Sequence, residues 1–163
     1  HTHGPPNRML HLGRDCADTR TLIWNLESLR NPTLVDSFFS EETVSDHNQY
    51  THRDHVWQSN YMAGLRILKI DQVRWHKSGL VSTVSFGFCS MLSPDNHCAA
   101  LLYQSSDVPV LSEVGYFDVA PGDDRPGFEG SWSNYPYFPS GVVVATSMER
   151  GLFILDPSAA MAQ

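Results

Sequence analysis

Histidine is over-represented, with eight in 163 residues. The histidines fall into groups: His1, His3 and His11, then His47, His52 and His55, then His76 and His97. A zinc ion needs three or four His, Cys or carboxylate ligands meeting at one point. Asp46-His47 with His52 and His55 has the right residue types. Neighbouring side chains on a strand point to opposite faces, however, and His52 and His55 fall where a turn is expected. The plainer reading is that Asp46-His47-Asn48 caps a turn and makes polar contacts between neighbouring units. No HExxH motif is present.

A second group, Asp118, Asp123, Asp124 and Glu129, surrounds Pro121-Gly122 and Pro126-Gly127. Calcium favours carboxylates and carbonyls in such a Gly-rich loop. The DxDxDG spacing is missing, and acidic loops of this kind are most often solvated. The candidate metal positions are therefore His47, His52, His55, Asp123 and Asp124. No cofactor is predicted, and zinc or calcium are the ions these residues suit. Nucleophilic catalysis has no carrier in GxSxG form, and phosphate-cradling glycine motifs are missing.

Residues 130–141 concentrate Trp132, Tyr135, Tyr137 and Phe138 beside Pro136 and Pro139. Exposed aromatic platforms hold sugars and peptides by apolar contact within a polar rim. The prolines predict a shaped loop here instead of a regular central strand. The alternative is that these rings fill the gap between adjacent units. Asp46, His47, Asn48, Trp132, Asn134 and Tyr135 are the candidate ligand-binding residues, and no catalytic residue is assigned.

The elements that must position these residues repeat themselves. Gly64-Leu65-Arg66-Ile67-Leu68-Lys69-Ile70 returns as Gly151-Leu152-Phe153-Ile154-Leu155-Asp156-Pro157, 87 residues later. A looser copy, Arg20-Thr21-Leu22-Ile23-Trp24-Asn25-Leu26, precedes the first by 44 residues. Val56 to Asn60 falls on Val143 to Ser147, and Asp46-His47-Asn48 on Ser133-Asn134-Tyr135. Ile23, Ile67 and Ile154 are therefore predicted to occupy equivalent inward positions. Strand signals cover residues 21–26, 55–59, 65–70, 111–117, 142–146 and 152–155, each short and bounded by turn residues. Pro32 and Pro109 each precede a further strand. Short strands recurring at roughly 40 to 50 residues predict an all-β protein: a partial β-propeller of about three to four blade equivalents.

The spacing from Ile23 to Pro32 is 9 residues, and from Ile67 to Pro109 it is 42. The excess is an insertion at about residues 73–104, expected to pack outside the blade sheets as a surface loop or a translated intervening sequence. It carries Cys89 and Cys98, which can bridge to each other or stay free, and the apolar run from Phe86 to Leu92. The remaining organisation is a remnant of a preceding blade or a tail at 1–18, blades over 19–157, and a short tail at 158–163.

Composition narrows the function classes. A 41% hydrophobic and 18% charged chain is globular. A net charge of -7 repels phosphate backbones, so nucleic acid is not an expected partner. No apolar run reaches the roughly 20 residues that span a bilayer.

The ordered motifs Thr19 to Trp24, Asp46-His47-Asn48-Gln49-Tyr50, Gln58 to Leu68, Glu113 to Asp118, Gly130 to Gly141 and Glu149 to Leu155 resemble the C-terminal part of choice-of-anchor B proteins, which carry LVIVD-type repeats. The resemblance covers most of residues 19–157 apart from the insertion. It implies a β-propeller on a secreted or surface-attached protein that meets a protein or carbohydrate ligand. It carries over no reaction, so a non-catalytic interaction module is expected. The alternatives are a metal- or carboxylate-dependent hydrolase with its site at the propeller mouth, using His47, and a carbohydrate-binding module.

Overall fold

The computed structural model describes residues 20–25, 28–71, 80–85, 110–123, 125 and 127–163. The readings at 1–18, the three cysteines, Asp124 and the run from Phe86 to Leu92 lie outside these residues. The described chain is all-β, with ten strands and one four-residue helix, α1 (Ser158–Met161).

The strands are β1 (Arg20–Asn25), β2 (Thr33–Phe39), β3 (Asn48–His52), β4 (His55–Ser59), β5 (Leu65–Ile70), β6 (Leu80–Ser85), β7 (Leu111–Phe117), β8 (Ser131–Tyr135), β9 (Val143–Ser147) and β10 (Gly151–Leu155). They form three antiparallel sheets, which we call A (β2-β1-β6), B (β3-β4-β5-β7) and C (β8-β9-β10). Sheet B is the middle layer. Ile23 and Val35 of sheet A pack on Val56, Leu68 and Ile70 of sheet B. On the other side of sheet B, Trp57, Leu65 and Ile67 pack on Val143 and Ala145 of sheet C. Every residue of β4 is therefore buried, as expected of a strand covered on both faces.

The repeat is written into the pairing. Trp57 pairs with Ile67 and Val56 with Leu68. Their counterparts 87 residues on, Val144 with Ile154 and Val143 with Leu155, pair identically. The first interval carries a matching irregularity. Ile23 faces Asp36 while Trp24 faces Leu34, so Val35 is an extra residue on β2. Ile67 faces Gly115 while Leu68 faces Glu113, so Val114 is an extra residue on β7. Both bulges bend an outer strand, and Val35 and Val114 pack in the corresponding interfaces.

Several expectations change. Ile23 is 0% exposed and Ile67 4%, but Ile154 is 71% exposed. The register is the expected one; what differs is that no described sheet covers the outer face of C. Ser131–Tyr135 is a strand, not a loop: β8 lies at a sheet edge and ends before Pro136. Asn134 pairs with Ala145 as Gln49 pairs with Gln58, so Asn134 is the counterpart of Gln49 and not of His47. Part of the insertion belongs to a sheet, because β6 pairs with β1. Its sequence carries the β-branched residues Val81, Thr83 and Val84, which suit a strand, and β6 takes the edge of β1 opposite β2. The 158–163 tail is docked. Ala160 sits in the B–C core, and Gln163 Nε2 donates to Val114 O at 3.1 Å. Gly115 makes room, since a Cβ there would lie 2.7 Å from Ala160 Cβ.

Candidate functional site

Stacking B on C brings β3 and β8, the first strands of their sheets, side by side. They are joined by side chains instead of a hydrogen-bonded ladder. His47 Nδ1 lies 2.5 Å from the carbonyl oxygen of Trp132. A carbonyl only accepts, so Nδ1 is the donor in this contact. Asn48 Nδ2 donates to the same carbonyl at 3.2 Å and to Ser133 Oγ at 3.3 Å. Tyr50 Oη meets Ser133 Oγ at 3.2 Å. Deeper in the seam, Asn134 Nδ2 donates to Trp57 O and to Ser59 Oγ.

Aromatic rings line both ends of this seam. The His47 ring lies 4.8 Å from Tyr61 and 4.1 Å from Trp132, and Phe128 packs on Tyr61. At the other end Tyr137 contacts Tyr50, His52 and Tyr135, and Tyr135 contacts Phe138. Tyr137 Oη donates to Thr51 O at 3.1 Å, fixing the loop after β8 to β3. Trp132 and Tyr135 remain about half exposed. Burial raises the phenol pKa of Tyr61, and burial with neighbouring Tyr50 and Tyr135 raises that of Tyr137. Both phenols stay neutral at physiological pH.

The local backbone supports the placement. Tyr61 has φ +38° in the β4–β5 turn, where Ser131 N donates to its carbonyl at 2.7 Å. Gly130, with φ +86°, allows that approach: a Cβ would lie 2.5 Å from Tyr61 O. Arg53 has φ +55° in the two-residue turn between His52 and His55. It lines a depression of about 320 Å³ with His52, Trp57, Phe138, Asp156 and Met161, which adjoins the strip.

Of the expected ligand-binding residues, His47, Asn48, Trp132 and Asn134 meet at the seam, and Tyr135 stands at its outer end. Asp46 lies behind them and accepts a hydrogen bond from Arg20 N at 3.2 Å. The described metal candidates form no common site, although His52 and His55 are partners across the β3–β4 hairpin. His47 faces Trp132, His52 faces Tyr137, His55 contacts Asp54, and Asp123 pairs with Arg125. Among the described residues no three His, Cys, Asp or Glu side chains form a metal-binding group. Tyr50, Tyr61, Phe128 and Ser133 were not singled out from sequence. Tyr61 had one available signal, its place in an Asn60-to-Gly64 turn between two clear strands.

No family model, curated protein or solved structure matches the chain.

Proposed function

We propose that this chain is a non-catalytic β-propeller interaction module, secreted or held at the cell surface, that binds its ligand along the aromatic seam between β3 and β8. The carrying observation is the junction of His47, Asn48 and Trp132, with aromatic rings on either side and a depression adjoining it. Such a strip gives a ligand apolar contact area and a few fixed polar partners, the usual make-up of a binding site. His47 supports binding over hydrolysis, because Nδ1 is held by a carbonyl and not by a carboxylate that would orient a general base.

A carbohydrate is the favoured ligand class. Half-exposed Trp132 and Tyr135 flank the hydroxyl and amide groups of Ser133 and Asn48, which together suit the apolar face and hydroxyl rim of a sugar ring. Screening the protein against a glycan array tests this, followed by Trp132→Ala and His47→Ala variants on any hit. Specific binding that falls at least tenfold in both variants is the expected result. Retention of a hit by both variants would move the site elsewhere. Absence of any glycan hit, with seam resonances shifting on peptide addition, would replace the carbohydrate reading with a protein ligand.

A further inference from the structure

We propose that the depression beside the seam is a second binding site, for a small zwitterion: a free α-amino acid with an apolar side chain. This site does not depend on the carbohydrate reading of the seam. Its walls come from two sheets. Arg53, on the β3–β4 turn, belongs to sheet B, and Asp156 follows β10 of sheet C. Trp57 borders it from the B–C core, and Phe138 and Met161 give it an apolar side. Its volume of about 320 Å³ lies at the low end of the roughly 300 to 1,000 Å³ usual for small-molecule sites, so the occupant is small.

Two opposite charges line this space without neutralising each other. Arg53 and Asp156 form no ion pair. The Arg53 guanidinium has no hydrogen-bond or ion-pair partner among the described residues. The Asp156 carboxylate accepts from Ser158 N at 3.0 Å and keeps further acceptor capacity. A simple anion would meet Asp156 and a chain of net charge -7, and a simple cation would meet Arg53. A ligand carrying both groups satisfies both walls. Its carboxylate takes the paired donors of the guanidinium, its ammonium donates to Asp156, and its side chain lies on the apolar side. Trp57, which borders the same space, has a buried Nε1–H with no partner among the described residues. A buried donor left unpaired is costly, and the ligand carboxylate supplies the acceptor.

The backbone at Arg53 supports the same reading. Arg53 is the first of two residues between the paired His52 and His55, and its φ is +55°. Gly takes such a position without steric cost, whereas other residues are strained there. A residue held in a sparsely populated conformation is characteristic of ligand sites. Among the described residues nothing in the fold takes up the Arg53 side chain, which leaves the depression as the place where it acts.

The experiment is calorimetric titration of the full chain with L-leucine, L-methionine and L-phenylalanine, while the indole N–H resonances are followed by NMR. N-acetyl-leucine and leucinamide, each lacking one of the two charges, are the controls. Wild type, Arg53→Gly and Asp156→Asn are compared, with thermal unfolding of each. Gly suits the left-handed φ at position 53, and Asn keeps the Oδ1 that accepts from Ser158 N, so both variants should fold. The expected result is binding of at least one free amino acid with a shift of the Trp57 indole resonance. Both capped compounds should bind at least tenfold more weakly, and both variants should lose affinity at least tenfold. The unfolding midpoint of Arg53→Gly should stay at or above that of wild type. Equal binding of a capped compound, unchanged affinity in either variant, or no binding of any free amino acid at millimolar concentration would each overturn the proposal. A lower midpoint for Arg53→Gly would also overturn it, since the side chain would then serve the fold.

Discussion

Arg66 is 5% exposed, and its guanidinium is shared by Glu42 and Glu113 while lying 4.8 Å over the Tyr116 ring. Removing a buried charge strands its partners. Breaking a fully buried pair costs about 3–5 kcal/mol, but both carboxylates here are about one third exposed. Arg66→Met should therefore cost on the order of 2 kcal/mol by urea unfolding, after allowing for solvent screening. Burial raises the pKa of Glu113 above its ordinary 4.5, with Arg66 opposing. A carboxyl whose folded pKa is raised favours folding while protonated. Its contribution is present below the ordinary value and is lost as pH rises through the raised one. Glu113→Gln should remove that loss, so stability of the variant measured from pH 4 upward should fall less steeply than that of wild type. The isoleucines make a sharper set. Ile23→Ala and Ile67→Ala should each cost about 2–5 kcal/mol. Ile154→Ala, at an exposed position, should stay within about 0.5 kcal/mol in the monomeric protein. Similar losses for all three would contradict the exposure of the outer face of C.

At the scale of elements, legibility followed apolar content. The expected spans for β4, β5 and β7 match the structure, because each is bounded by turn residues, β5 and β7 are rich in Val, Ile, Leu or Phe, and β4 carries Val56 and Trp57. β3 (NQYTH) and β8 (SWSNY) carry almost no aliphatic signal. Their pairing is decided by what lies across the seam, which a local reading does not contain. For the same reason His47 and Trp132 could be named as candidates while their contact could not. The loop ends are held by backbone that admits little else. Gly64, at φ +74°, would bring a Cβ within 2.1 Å of Phe117 O, whereas Gly151, at φ +82°, has open space. Gly151→Ala should cost only the left-handed strain, about 1–2 kcal/mol. Gly64→Ala should cost more, since the β5–β7 connection must also shift, and equal costs in thermal unfolding would contradict this. Deleting residues 73–104 now carries a definite expectation. It removes β6 and bares the edge of β1, so the unfolding midpoint should fall, and an unchanged midpoint would show that β6 adds nothing to sheet A.

Across the whole molecule, the 44- and 87-residue offsets captured the ordering principle. Three sheets stack in one direction, with sheets A and B each sending an isoleucine into the next. The offsets were legible because buried strands must repeat their apolar pattern to repeat their packing. The docking of α1 on sheet B was not, because a short run of small residues carries no periodic signal and depends on the space left at Gly115. Nor was the exposed end of the series, since burial depends on a neighbour and not on the residue. The stacking also forms the proposed site, because it places β3 beside β8 and so makes the aromatic seam. The most direct test is to label Ile, Val and Leu methyl groups and record nuclear Overhauser contacts between them. The account predicts contacts from Ile23 to Val56 and Leu68, and from Ile67 to Val143. Contacts joining Ile67 to Val56 in place of Val143, or no contact between the sheet B and sheet C methyls, would contradict it.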